Sequence, residues 1–289
     1  MKRDFLLLSF SLALIISIFY IFQQNQIAKE SITYFPIDPN VSFPKAETSI
    51  TLAKQKNDAY SIQWETTSNL NKVAYLRQNM SLLYANGKLV STMGEWKQNT
   101  MELTEQKTLV EKESRLFQSI SFHYAEIHDV NDRIFSSQKI TDAFLYVINS
   151  RFDSTAKAFK IPQTMEEKQW KRVLDSETKH YVDYYFNESF KKNGLSLDQY
   201  PIHLLLTDLS TYHHTPFKGF TKEKTAQIIG QLTEGLYKNY FLGIRKQDGT
   251  ITDPIGSTIP SILINKDHLL ILFTTKDGES IILRQQIPI

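Results

Sequence analysis

Met80-Ser-Leu-Leu-Tyr-Ala85-Asn86-Gly87-Lys88-Leu-Val-Ser-Thr-Met93 reads as two strands joined by a two-residue turn. Asparagine followed by glycine is the pair that best accepts positive φ at both central positions of a hairpin turn. Upstream, Tyr60, Ile62 and Trp64 alternate with Ser61, Gln63 and Glu65, the period-two pattern of a half-buried strand. Downstream, the charged stretch from Thr100 to Arg115 fits either a strand with a short helix or one arm of a long hairpin. Phe117–His128 reads as another strand, with Ile120, Phe122 and Tyr124 on one face. Its other face carries Ser119, Ser121 and His123, and is expected to be wet.

Helical spacing is expected from Ser137, where Ile140, Ala143, Phe144, Val147 and Ile148 form one stripe. A longer helix is expected from Thr164 to about Lys192. Thr164 with Glu167 makes a capping box, in which each side chain satisfies an end amide of the other. Trp170, Val173, Leu174, Tyr181, Tyr184 and Tyr185 supply much of its apolar face. Thr221 begins a third helix, with Glu223 at its positive end and Ile228, Ile229, Leu232 and Leu236 on its buried side. His268–Gln286 is a second hairpin, turning at Lys276-Asp277-Gly278, and it is placed to extend the sheet begun near residue 58. The fold class expected is α+β: an antiparallel sheet packed against a helical middle segment, preceded by one transmembrane helix.

That helix is residues 5–22, an apolar run of 18 residues interrupted only by Ser9, Ser11 and Ser17. Its length is near the lower end of what spans a bilayer. Lys2 and Arg3 before it hold the N-terminus on the cytoplasmic side. A cleavable signal peptide needs small residues at its exit, and Gln26 fits poorly there although Ala28 would serve. The expected organisation is a cytoplasmic tail at 1–4, an uncleaved anchor at 5–22, an extended stalk at 23–57 and an extracytoplasmic α+β domain at 58–289. Pro36, Pro39 and Pro44 motivate the stalk, and a short edge strand at Ser49–Ala53 fits within it.

Composition narrows the chemistry. The chain has no cysteine, which removes disulfides, zinc–thiolate sites, cysteine-ligated clusters and thiol nucleophiles together. Setting aside Lys2, Arg3 and Asp4, 31 basic and 30 acidic residues remain, so nothing marks a nucleic-acid binder. The candidate catalytic residues are Asp208, His213 and His214, in a loop where the carboxylate can orient either imidazole as a general base. Glu177 and His180, with Glu188 on the same helix, form the candidate metal-binding group, although no His-Glu-x-x-His pattern supports it. His123 and His128, with Asp129 and Asp132, are read as an end-of-strand turn. No cofactor is assigned. The function expected is non-catalytic binding of an envelope protein or cell-wall polymer by a single-pass bacterial cell-envelope protein, with an anchored envelope hydrolase as the alternative.

Overall fold

The computed structural model describes residues 33–56, 58–150, 155–213, 215–246 and 249–287. The expected cytoplasmic tail, the anchor at 5–22 and the first ten residues of the stalk lie outside the described residues. No helix among the described residues is long and apolar enough to cross a membrane.

The architecture is α+β and mostly antiparallel. The first sheet contains β1 (Lys45–Lys56), β2 (Ala59–Ala85), β3 (Lys88–Glu111), β4 (Arg115–His128), β5 (Ile134–Ile148) and β6 (Lys157–Phe159). Asn86 and Gly87 take φ of 46° and 85°, as the turn requires. The hairpin they close runs from Ala59 to Glu111, so the charged stretch after Thr100 is a hairpin arm. Gly87 is needed twice over, because an added Cβ would lie 3.0 Å from both the Tyr181 ring and a Val182 methyl.

β3 follows one edge of β2, while the other edge is divided between β1, at residues 59–69, and β4, at residues 76–85. The register breaks between Asn69 and Ala74, and Asn99 opposite has φ of 51°. The two halves of the ribbon then fold face to face. Thr66 and Ser81 of β2 meet at 3.1 Å, and Trp64 Nε1 donates to Ser119 Oγ of β4 at 2.9 Å. Toward the β2–β3 turn the enclosed space is apolar, filled by Ile50, Ile62, Trp64, Leu83, Phe117 and Leu145.

The second sheet has the order β12 (Ser280–Gln286), β11 (His268–Thr274), β10 (Ser261–Ile264), β7 (Ile202–Leu205). The C-terminal hairpin is present, but it builds this separate sheet and does not extend the first one. A small ribbon, β8 (Ile244–Arg245) with β9 (Ile251–Thr252), lies between β7 and β10 in sequence. The largest core lies between the sheets. Met80, Leu82, Phe122 and Ile140 pack there with Ile262, Leu269 and Ile271, and with Ile228, Leu232 and Leu236 of the helix α2 (Lys222–Leu236). Thr221 caps α2 through the Lys224 amide at 3.1 Å. The 28-residue helix α1 (Met165–Lys192) begins at the expected Thr164–Glu167 capping box. Leu174, Thr178 and Val182 are buried along it at four-residue steps, whereas Val173 and Tyr184 are exposed.

Three further expectations are corrected. Residues 134–148 form β5, not a helix. This strand is covered on both faces: Ile140 enters the main core, Ala143, Leu145 and Val147 face the folded ribbon, and Tyr146 and Ile148 meet α1. Burial on two faces erases alternation, and the remaining apolar positions imitate a helical stripe. Lys45–Lys56 is a full strand paired with β2, and Val41 and Phe35 before it pack into cores, so 33–56 belongs to the folded unit.

The polar face of β4 is the third. Ser119, Ser121 and His123 are buried, not wet. They join a hydrogen-bonded seam in which Thr48 meets Ser121 at 2.8 Å and Thr141 at 2.6 Å, and Ser121 meets Thr66 at 3.1 Å. His123 reaches Asn79 Oδ1 at 3.2 Å and Thr141 Oγ1 at 2.8 Å. Arg77, fully buried, donates to Ser68 Oγ at 2.7 Å and to the Met101 carbonyl, and stacks on Phe43 at 4.8 Å. Alternating small polar residues can fill such an interior because each finds a partner on the facing strand.

Glu105 closes the mouth of this seam. Burial pushes its carboxyl up to about 7, Glu95 adds to the rise, and the Asn79 amide and Lys97 oppose it. Its Oε2 and Asn79 Nδ2 nevertheless lack a partner at hydrogen-bond geometry, so the amide relieves the burial only in part. A raised folded-state value means that the folded chain holds the proton more tightly than the unfolded one. The resulting stabilisation is complete below about 4.5 and is lost as pH rises through 7. Glu105→Gln is therefore expected to stabilise the protein by up to about 3 kcal/mol at pH 8 and not at pH 4.5. Urea midpoints across that range check it, and a pH-independent difference would contradict it.

Candidate functional site

A cleft of about 490 Å³ opens beside β5, where the first sheet meets α1 and the turn after β7. Strand register builds its floor. Gln118 pairs with Phe144 and Ile120 with Asp142, so Gln118, Phe144 and Asp142 point to the same side of the sheet. Phe144 is 40 % exposed and meets Tyr146 edge to face at 6.0 Å. Tyr146 in turn stacks on Phe159 of β6 at 5.1 Å. Ile161 and Pro162, after β6, form an apolar lip.

The polar wall comes from α1 and from a 3₁₀ segment, Leu206–His213. Tyr146 OH donates to Asp175 Oδ1 at 2.6 Å, and Lys171, one helical turn before Asp175, pairs with its other oxygen and lies 5.0 Å from the Tyr146 ring. The hydrogen bonds that Lys171 makes to Asp175 and Tyr146 hold its ammonium above its ordinary value. Burial raises the Tyr146 phenol, and its bond to Asp175 adds to that. Across the cleft stands Asp208. The residue as a whole is exposed, yet its carboxyl sits among enough protein that burial raises its proton affinity. The Leu205 amide lowers it and the like charge of Asp142 raises it further. Beneath the cleft, Gln118 Oε1 and Thr207 Oγ1 are buried without a hydrogen-bond partner.

The structure thus places Asp208 and His213 in different clefts. Asp208 lines this cleft, whereas His213, at the other end of the same 3₁₀ segment, lines two neighbouring grooves, one with Lys139, Tyr212 and Lys222 and one with Thr48, Thr141 and Ser210. The charged neighbour that raises the proton affinity of Asp208 is Asp142. His214 lies outside the described residues. Glu177 and His180 are both exposed on α1. Among the described residues no group of three or more histidine, aspartate or glutamate side chains is placed to hold a metal ion. Asp142, Phe144, Lys171 and Asp175 escaped sequence reasoning. The first two sit in the strand that reads as a helix, and the last two are ordinary charged positions of an amphipathic helix.

No protein-family model matches this chain, and no curated protein matches it at a significant level. Among solved structures it is similar to the crystal structure of a "putative lipoprotein (ycdA)" from Bacillus subtilis, with 11 % sequence identity over 85 % of this chain and 73 % of that one, and a TM-score of 0.19. A superposition that loose carries no argument about fold or function.

Proposed function

We propose that residues 5–22 hold this protein in the cell membrane with residues 33–287 outside, and that the cleft beside β5 binds a polysaccharide of the cell envelope. The observation that carries the second half is the partly exposed Phe144 ring, set beside Asp142, Asp175, Asp208 and Lys171. A sugar ring offers an apolar C–H face and a rim of hydroxyls, and an aromatic platform flanked by charged acceptors and donors meets both. The apolar run and the charges before it support the first half. Phe144→Ala is expected to weaken binding of the full-length protein to purified wall polysaccharide about tenfold, the loss of roughly 1.4 kcal/mol. Unchanged binding by the variant, or none by the parent, would overturn the reading.

One observation favours a hydrolytic version of the same site. Asp208 has a raised proton affinity and faces a second carboxyl, Asp142, the arrangement in which one acid protonates a leaving oxygen while the other stays ionised. Asp208→Asn separates the two readings. Asparagine keeps an acceptor oxygen for a sugar hydroxyl but cannot protonate a leaving oxygen. The variant should therefore retain binding and lose the release of reducing ends if the site is hydrolytic, and retain binding with no release by parent or variant if the site only binds.

A further inference from the structure

The first sheet bends at one end, and a group of its exposed large apolar side chains lies there. Tyr75 is 46 % exposed and Trp96 42 %, and Val73 and Met101 flank the bend. Val130, 99 % exposed, tips the turn between β4 and β5. Stacking of Tyr75 on His128, with ring centres 4.0 Å apart, ties the bend to the end of β4. These residues touch neither core between the sheets nor the cleft beside β5.

The described chain begins at the same end. The Thr33 carbonyl accepts from Tyr124 OH at 2.8 Å, and the Tyr34 amide donates to Glu234 Oε2 at 2.9 Å. Tyr124 pairs with Gln78 and Gln78 with Trp96, so three strands place Tyr124 and Trp96 in one row. Two strand spacings are about 10 Å. Only ten residues, 23–32, separate the apolar run from Thr33, and they reach at most about 35 Å. Two carboxylates near this end are matched by cations, Asp129 by Arg133 at 2.6 Å and Glu95 by Lys97 at 3.1 Å, and Glu126 meets the His128 ring at 2.6 Å.

We infer that this end, centred on Trp96 and Tyr75, rests on the lipid surface of the membrane that holds the chain, an inference that depends on residues 5–22 being the anchor. Tryptophan and tyrosine favour the bilayer interface, where the ring is apolar and its polar atom stays wet. The contact is made by the rings, so it is expected not to depend on anionic headgroups. The cleft beside β5 would then be held at a fixed height above the bilayer.

The full-length protein reconstituted in phosphatidylcholine vesicles with acyl-brominated lipid tests this, since bromine quenches only tryptophan within the bilayer. Trp64 is buried and Trp170 lies against α1's own partners, so the quenching expected comes from Trp96 and is lost in Trp96→Phe. Replacing a quarter of the lipid with phosphatidylglycerol should leave it unchanged. Equal quenching in parent and variant, or none in either, overturns the contact while flotation with the vesicles shows the anchor intact. A blue-shifted Trp96 emission without quenching also overturns it, because residues 23–32 would then be the cover. Failure of the protein to float removes the anchor and the inference with it. Circular dichroism of the variant controls for folding.

Discussion

His123→Gln is expected to be less stable than the parent at pH 7 and more stable below about pH 4.5. In the parent, burial depresses the imidazole to about 3, and the positive charges of Arg77 and Lys139 add to that. The unfolded chain binds the proton near 6.5, so it takes up protons over a range where the folded chain does not. Stability contributed by the neutral ring is therefore complete above 6.5 and is lost as pH falls toward 3. The loss is about 3 kcal/mol by pH 4 and approaches about 5 kcal/mol at the lower limit. Glutamine carries no such liability. It gives up part of the ring's packing and one of its bonds to Asn79 and Thr141, roughly 2 kcal/mol at neutral pH. Urea midpoints of the two proteins should cross as pH is lowered. Parallel curves would mean that His123 titrates as an exposed histidine does, and that the seam around it is open to water.

Trp64→Ala is expected to cost about 4 kcal/mol, within the range for deleting a fully buried large ring. The indole is completely enclosed among Ile62, Leu83, Phe117 and Leu145, and its N–H is committed to Ser119. Neighbours on two folded-over strands cannot collapse into the gap without moving the bend at residues 70–74, so most of the cavity should persist. Against a typical total of roughly 5–15 kcal/mol this is a large fraction. Trp64→Phe should cost less than half as much, chiefly through the Ser119 hydroxyl left without its donor. The comparison is read from urea midpoints. Equal and small losses for both variants would show that the two halves of the ribbon do not pack as tightly as their hydrogen bonds imply.

Much of the fold was legible because it rests on local chemistry. Asn86-Gly87 fixed a turn that the backbone adopts with two positive φ values. Thr164 and Glu167 marked the start of α1 through mutual bonds between side chain and backbone, and Thr221 marked α2 by a single cap, accepting from the Lys224 amide. In the candidate site, only Asp208 came through from sequence. Asp142 and Phe144 lay hidden in β5, where burial on both faces mimics a helix. Lys171 and Asp175 become part of a site only because Tyr146, 25 residues before Lys171, lies beneath them.

By itself the sequence determined the turns, the helix caps, the alternation of Tyr60 to Glu65 and the apolar run at 5–22, because each depends on residues within a few positions of one another. The tertiary structure alone decided that β2 and β3 fold back at 70–74, that Ser121 and His123 are interior and that the C-terminal hairpin forms its own sheet. It also decided that Asp208 faces Asp142. Each of these depends on which surface a strand meets across the fold, and one residue's neighbours in sequence do not encode that. A serine on an alternating strand looks the same whether water or Thr66 answers it.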